Sequence, residues 1–419
     1  MMSYPSLLQY ESHYPLYGIS FSHSTHHPHR VALSTLVTGA TNKLIIVEPS
    51  NPQQSSYDPS TDFQQLTQSN LAFPATKVGW EPQQSLAGAS HEEGGGRGEL
   101  LATTGDVLRI WELGKNWNGE ERGWTNVGRN GWSHGVRDYV LSARSVLTNK
   151  SKSPQTGLPP ITSFSWNPQS PNFIVTCSTD TTATLWDINT SQALTQLIAH
   201  DRAVFDLSWL PNSSDIFVSV GADGSLRAFD LRTLEHSTIL YESSEDTPLA
   251  RIAFSNREQH MLACFGLEDS KVLVLDMRSP GQPVAELIGH QAPLGAIAWG
   301  AGGDQTHSAG GYIASCGDDS QLLLYDLTQP LSPQTRPFST RPTSRPRPPH
   351  ADPSPNPYAA LSPPATPAQN RKTPSPALAV EVLPVKAWTA ETEVNNLAFS
   401  DLGDYVGCVS GQKLSVLRV

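Results

Sequence analysis

Residues 216–232, IFVSVGADGSLRAFDLR, hold an apolar run, a tight polar turn and a second run that closes on aromatic-Asp. Side chains of a strand alternate between two faces, so each run reads as a half-buried strand and Gly221 to Gly224 as the hairpin turn between them. An isolated hairpin is marginal in water and needs further sheet to cover it. The chain supplies that cover as copies of itself.

The order of apolar strand, turn and strand ending in aromatic-Asp recurs in ITSFSW…FIVTCSTDTTATLWDI (161–188), VFDLSW…IFVSVGADGSLRAFDLR (204–232), LARIAF…MLACFGLEDSKVLVLDMR (249–278) and LGAIAW…YIASCGDDSQLLLYDL (294–327). Weaker copies are LYGISF…NKLIIVE (16–48), TKVGW…LLATTGDVLRIWEL (76–113) and VNNLAF…YVGCVSGQKLSVLRV (394–419), which makes seven. A period of roughly 40–50 residues marks a propeller or a solenoid. A fourth strand-like run follows six copies: FQQLTQ (63–68), YVLSARSVL (139–147), ALTQLIA (193–199), STILYE (237–242), PVAELIG (283–289) and PVKAWTA (384–390). The seventh has none, and SLLQYES (6–12), which belongs to no copy, supplies it. The expected fold is all-β: one seven-bladed propeller over 1–419, its ring closed by the N-terminal strand pairing into the last blade, so that no long edge is exposed.

Of 419 residues, 37% are hydrophobic and 16% charged, enough for a large core. The net charge of −11 repels phosphate backbones and anionic membranes, so neither direct nucleic-acid nor membrane binding is expected. No run of 18 apolar residues appears, and MMSYPSLLQYESH lacks the basic and apolar parts of a signal peptide; a soluble, unsecreted protein is expected. Cys177, Cys264, Cys316 and Cys408 each end a short apolar run, without a Cys-x-x-Cys pair. Buried, reduced thiols in one shared repeat position are expected.

With LWD at 185–187, AFD at 228–230, LYD at 324–326, AH at 199–200 and GH at 289–290, the repeat resembles the WD-repeat β-propeller. That resemblance implies a network of a His before the blade, a Ser or Thr in its second strand, a turn Asp and the Trp. Ser178, Asp180 and Trp186 lack the His; His200 and Asp223 accompany Gly221 and Phe229; His290 and Asp319 accompany Gly317 and Tyr325. Less rigid blades are expected there.

TQLIAHDRAVFDLSW (195–209), SVGADGSLRAFDLRTLEHSTILYE (219–242), LATTGDVLRIW (101–111) and TAETEVNNLAF (389–399) resemble the Transparent Testa Glabra type of plant WD-repeat protein and its animal counterpart, a scaffold for DYRK- and HIPK-family kinases. The resemblance implies a monomeric, non-catalytic adaptor of cytoplasm and nucleus that docks protein kinases or transcription regulators of the MYB and basic helix-loop-helix kinds. Its alternative implication is a substrate receptor of a cullin-RING ubiquitin ligase. The ligase mark, an aromatic or apolar residue followed by Asp-x-Arg at the end of a third strand, appears as Phe229-Asp230-Leu231-Arg232 and Leu275-Asp276-Met277-Arg278. Such an Arg shares the strand face of its Asp and reaches the wide-face rim, where a ligase adaptor can pair with it. An ordinary Asp–Arg clamp at a strand end is the plainer reading of the same residues.

On the narrow face, the residues entering first strands or preceding turn acids are Tyr17, Thr76, Thr162, Phe205, Glu268, Asp318 and Glu393. Loop-borne positions on a rigid frame are the expected partner-binding face, with the aromatic Tyr17 and Phe205 as anchors. Four segments fall outside the repeat. HSTHHPHR (23–30) and 82–99 read as surface loops, the His tract carrying no Cys or carboxylate at ligand spacing, and 114–138 as a longer surface insertion. Residues 329–383 hold 15 of the 34 prolines, two acidic and six basic residues, and read as a disordered, phosphorylatable loop of blade six with six Ser/Thr-Pro pairs. No nucleophile elbow, metalloprotease helix, kinase set or phosphate loop occurs, so no enzyme, cofactor or metal is expected.

Overall fold

A computed structural model describes residues 7–39, 41–50, 61–83, 97–115, 139–148, 157–234, 236–300, 311–328 and 379–419. A first strand, β1 (Leu7–Glu11), precedes the repeats. Blade one is β2 (Leu16–Phe21), β3 (Val31–Thr35), β4 (Asn42–Pro49) and β5 (Phe63–Leu71). Blade two is β6 (Lys77–Trp80), β7 (Glu99–Thr104), β8 (Leu108–Lys115) and β9 (Tyr139–Leu147). Blade three is β10 (Ile161–Trp166), β11 (Phe173–Ser178), β12 (Thr182–Asp187) and β13 (Gln192–Ile198). Blade four is β14 (Val204–Trp209), β15 (Ile216–Gly221), β16 (Ser225–Asp230) and β17 (Ser237–Glu242). Blade five is β18 (Leu249–Phe254), β19 (Met261–Gly266), β20 (Val272–Asp276) and β21 (Ala285–Leu287); blade six has β22 (Leu294–Gly300), β23 (Tyr312–Gly317) and β24 (Gln321–Asp326). Then come β25 (Val380–Val382), β26 (Lys386–Thr389) and blade seven's β27 (Val394–Phe399), β28 (Tyr405–Ser410) and β29 (Lys413–Arg418).

Each blade is an antiparallel sheet in chain order, as its alternating side chains and short turns require. The expected closure is present: β1 pairs with β29, Leu7 opposite Leu417 and Glu11 opposite Lys413, in the sheet β1-β29-β28-β27. First strands touch their neighbours all the way round, β27 meeting β2. Seven apolar clusters fill the seven gaps between blades, the one between blades seven and one holding Leu8, Phe21, Val31, Phe63, Tyr405 and Val416. With each fully buried large apolar side chain contributing about 1.5–3 kcal/mol, packing is the main hold between blades, since among the described residues no strand ladder joins one blade to the next.

The structure corrects four expectations. Val380–Val382, at the end of the segment read as strandless, forms β25, a parallel fifth strand on the edge of blade five with Ala285 opposite Val380 and Leu287 opposite Val382. In VEV the two valines share a face and pack on the cluster between blades five and six, a three-residue pattern hidden by the composition around it. Residues 329–378 lie outside the described residues, as do 84–96 and 116–138 of the other insertions, whose outer residues Glu99, Gly114 and Lys115 are strand.

The cysteines do not share one position. Cys177 and Cys316 face the following blade, while Cys264 and Cys408 stand one residue earlier in their strands and face the preceding one. Successive strand residues point to opposite faces, so a one-residue offset changes the gap that is filled. All four are buried, and burial pushes the thiols of Cys177, Cys264 and Cys408 up to about 12.

The histidine networks are fuller than expected, because the strand-two hydroxyl sits two residues before the glycine. His200 Nε2 lies 2.7 Å from Ser219 Oγ and its Nδ1 2.9 Å from Asp223 Oδ1; His290 does the same with Ser315 at 2.7 Å and Asp319 at 2.9 Å. Gly221 makes room for the ring, since a Cβ there would come within 2.9 Å of His200. Phe229 replaces the Trp by stacking on Phe217 at 5.1 Å, whereas Trp186 and Trp111 donate to Thr176 and Thr103, each at 2.9 Å.

The His tract is also no free loop. His27 Nδ1 lies 2.6 Å from Glu48, His23 Nδ1 2.9 Å from Asp401 of blade seven, and Arg30 is buried on Glu99 at 2.7 Å. Among the described residues, no three His, Cys, Asp or Glu side chains gather as a metal site would need.

Candidate functional site

At the ends of β16 and β20 the chain turns, and the turn acid accepts the N–H two residues on: Arg232 to Asp230 and Arg278 to Asp276, both at 2.9 Å. The arginine then folds back as a fork, Nη2 reaching Asp230 Oδ2 at 2.6 Å and Asp276 Oδ2 at 2.8 Å. Arg232's hydrogen bonds pull the Asp230 carboxyl down to about 2, and those of Arg278 hold Asp276 below its ordinary value. Yet the two guanidinium side chains are 65% and 60% exposed, so each can exchange its own acid for a partner's.

The same turn occurs in blades three and six without arginine. Asp187 accepts the Asn189 N–H and Asp326 the Thr328 N–H, both at 2.9 Å. The acid alone therefore builds the turn. Arg232 and Arg278 are additions that the local backbone does not need.

First strands begin at one end of the ring, the end expected to be the narrow face. Tyr17, Thr162 and Phe205 sit half-buried where the register slips by one residue, each pushed out of the ladder. Thr162 Oγ1 donates to Val204 O at 2.6 Å and Thr76 Oγ1 to Ile161 O at 2.8 Å, so these hydroxyls stitch one blade to the next. Tyr17 turns its hydroxyl to Arg251, which donates to it at 3.0 Å. Glu268, Asp318 and Glu393 are exposed, Glu268 in a left-handed turn at φ +69°. They put one exposed carboxylate each beside blades five, six and seven.

The seven first strands enclose a cavity of about 550 Å³ on the axis, with Lys77, Asp206, Arg251 and Asn396 among its lining. Asp206 is buried and accepts from Ser163 Oγ at 2.5 Å, from Lys77 Nζ at 3.2 Å and from the Ile252 N–H at 3.0 Å. Burial pushes its carboxyl up, but Lys77, then Arg251 and these hydrogen bonds outweigh it, and the net effect is downward. Motif search passes over this cluster because its members come from different blades. Its signal is a repeat column: Ser163, Asp206 and Arg251 hold one position in three consecutive first strands.

The WD domain, G-beta repeat family model matches residues 152–187, 191–230 and 281–326, within blades three, four, five and six. The chain is 35% identical to the DDB1- and CUL4-associated factor 7 homolog of Dictyostelium discoideum over 79% of its own length and 87% of that protein's. It is 33% identical to an uncharacterized WD repeat-containing protein of Schizosaccharomyces pombe, over 90% of this chain and 80% of the relative. A WD repeat-containing protein of Saccharomyces cerevisiae is 31% identical over 100% of this chain and 77% of its own. Sequence, ring and relatives agree: the chain belongs to the WD-repeat propeller family that contains the DDB1- and CUL4-associated factor 7 homolog.

Proposed function

We propose that this protein is a non-catalytic adaptor that joins a cullin-RING ubiquitin ligase through its wide face and holds protein partners on its narrow face. The observation that carries the ligase link is the pair of surplus arginines, Arg232 and Arg278. Turns of the same build in blades three and six do without them, and both stay exposed beside acids whose geometry a partner's carboxylate can copy. The similarity to the Dictyostelium DDB1- and CUL4-associated factor 7 homolog supports the same reading.

The partners held on the narrow face are protein kinases of the DYRK and HIPK kinds or transcription regulators, as the Transparent Testa Glabra resemblance implies, docked around Tyr17, Phe205, Glu268, Asp318 and Glu393. A rigid ring that ties two proteins together raises the effective concentration of each for the other without chemistry of its own. The adaptor works as a single propeller within larger complexes, in cytoplasm and nucleus.

Affinity capture from cell extract, with quantitative mass spectrometry, compares the wild type with Asp230→Ala/Arg232→Ala/Asp276→Ala/Arg278→Ala. Loss of the ligase adaptor while kinases stay bound is the expected result. A wild-type sample without any ligase adaptor overturns the ligase link and leaves the scaffold; a sample without kinases or regulators overturns the scaffold.

A further inference from the structure

The charges on the axis do not balance. Asp206 is already engaged: Oδ1 takes Ser163, Lys77 and the Leu207 N–H, and Oδ2 the Ile252 N–H. Lys77 is the cation in ion-pair contact with it, at 3.2 Å. Arg251 joins no ion pair among the described residues; Asp206 acts on it only through space, and it makes one hydrogen bond, to the Tyr17 hydroxyl. Guanidinium carries five N–H donors, so most of those of Arg251 are unspent while its side chain lines the cavity. A cation drawn out of bulk water with neither carboxylate nor carbonyl to meet it is costly unless an anion is supplied.

We propose that the axial channel is an oxyanion-binding site, with Arg251 as its principal donor and Lys77 and the Tyr17 hydroxyl beside it. Tyr17 accepts from Arg251, which leaves its own proton to donate to the anion. Five blades contribute: Tyr17, Lys77, Ser163, Asp206 and Arg251 come from blades one to five in turn. The site therefore exists only when the ring is closed. Its ligand carries a carboxylate or phosphate group, the oxyanions whose geometry a guanidinium fork matches. One such group can arrive free or at the tip of an acidic side chain. This site is independent of the ligase link, since nothing in it touches Arg232 or Arg278, and it shares Tyr17 with the face proposed to dock partners.

The test is titration of the purified full-length protein at constant ionic strength with inorganic phosphate in one arm and N-acetyl-glutamate amide in the other, read by calorimetry and by the rise in melting temperature. Saturable binding in at least one arm is expected, lost by about tenfold or more in Arg251→Met, weakened in Lys77→Met and unchanged in Arg232→Ala. A response to phosphate alone assigns a free anion; a response to the capped glutamate alone assigns an acidic side chain. If Arg251→Met does not fold, Tyr17→Phe keeps the guanidinium, removes the hydroxyl and weakens binding several-fold. Absence of saturable binding in both arms, or equal binding by wild type and the Arg251 or Tyr17 variant, overturns the proposal.

Discussion

Leu8 tests the closure of the ring with one side chain. It stands on β1 opposite Val416, 7% exposed, in the apolar cluster with Phe63 and Tyr405 between blades seven and one. A large-to-small change in a core costs about 2–5 kcal/mol; on an edge strand that can settle inward, Leu8→Ala costs about 2–3 kcal/mol. The parity of β1 sharpens the test. The Ser12 N–H donates inward to Gln412 O at 2.8 Å, while the Gln9 N–H points outward to Asp62 at 2.8 Å, so even-numbered N–H groups face β29. Gln9→Pro therefore loses one side-chain bond, about 1 kcal/mol, whereas Leu8→Pro loses a ladder bond and the buried side chain, about 3 kcal/mol or more. Urea unfolding followed by tryptophan fluorescence and far-ultraviolet dichroism measures each, with the exposed Glu11→Ala as baseline. Equal losses from the two prolines, or Leu8→Ala no worse than Glu11→Ala, refute closure by β1.

The axial acid and the histidine networks give further tests. Asp206→Asn leaves Lys77 without its ion-pair partner and costs about 3–5 kcal/mol at neutral pH by thermal unfolding. Because the folded carboxyl is held below the ordinary aspartate value, its stabilisation is complete above about pH 4 and is lost as pH falls through the folded value; the gap between wild type and variant narrows only in that acid range. Burial, outweighing Asp223, holds His200 below the ordinary imidazole value, so its contribution is present above about pH 6.5 and lost as pH falls through the folded value. In stability measurements from pH 7 down to 5, His200→Gln shows a shallower loss than wild type. Gly221→Ser lowers the melting temperature, because its Cβ meets the His200 ring; an unchanged or higher value contradicts the close approach.

The periodic parts of the molecule were legible in one dimension. A strand's register follows from alternation, a turn from Gly, Asp or Asn, and seven copies with one missing strand leave few ways to close; the blades and the pairing of β1 with β29 follow. The Asp-x-Arg marks were legible for the same reason, being local. The networks sit two residues from the expected position, because Ser219 and Gly221 share a strand face and alternation does not say which of them meets His200 Nε2.

What tertiary structure alone decided is whatever joins blades. The axial cluster collects Tyr17, Lys77, Ser163, Asp206 and Arg251 from positions up to 234 apart in sequence. Burial of Arg30 on Glu99 and the docking of β25 on blade five also depend on neighbours distant along the chain. Sequence by itself determined the repeating unit and its number, since those rest on hydrogen bonds and side-chain alternation within about fifty residues. The ring decided which charges face one another, because electrostatic contact acts through space and the axis exists only once all seven blades are in place.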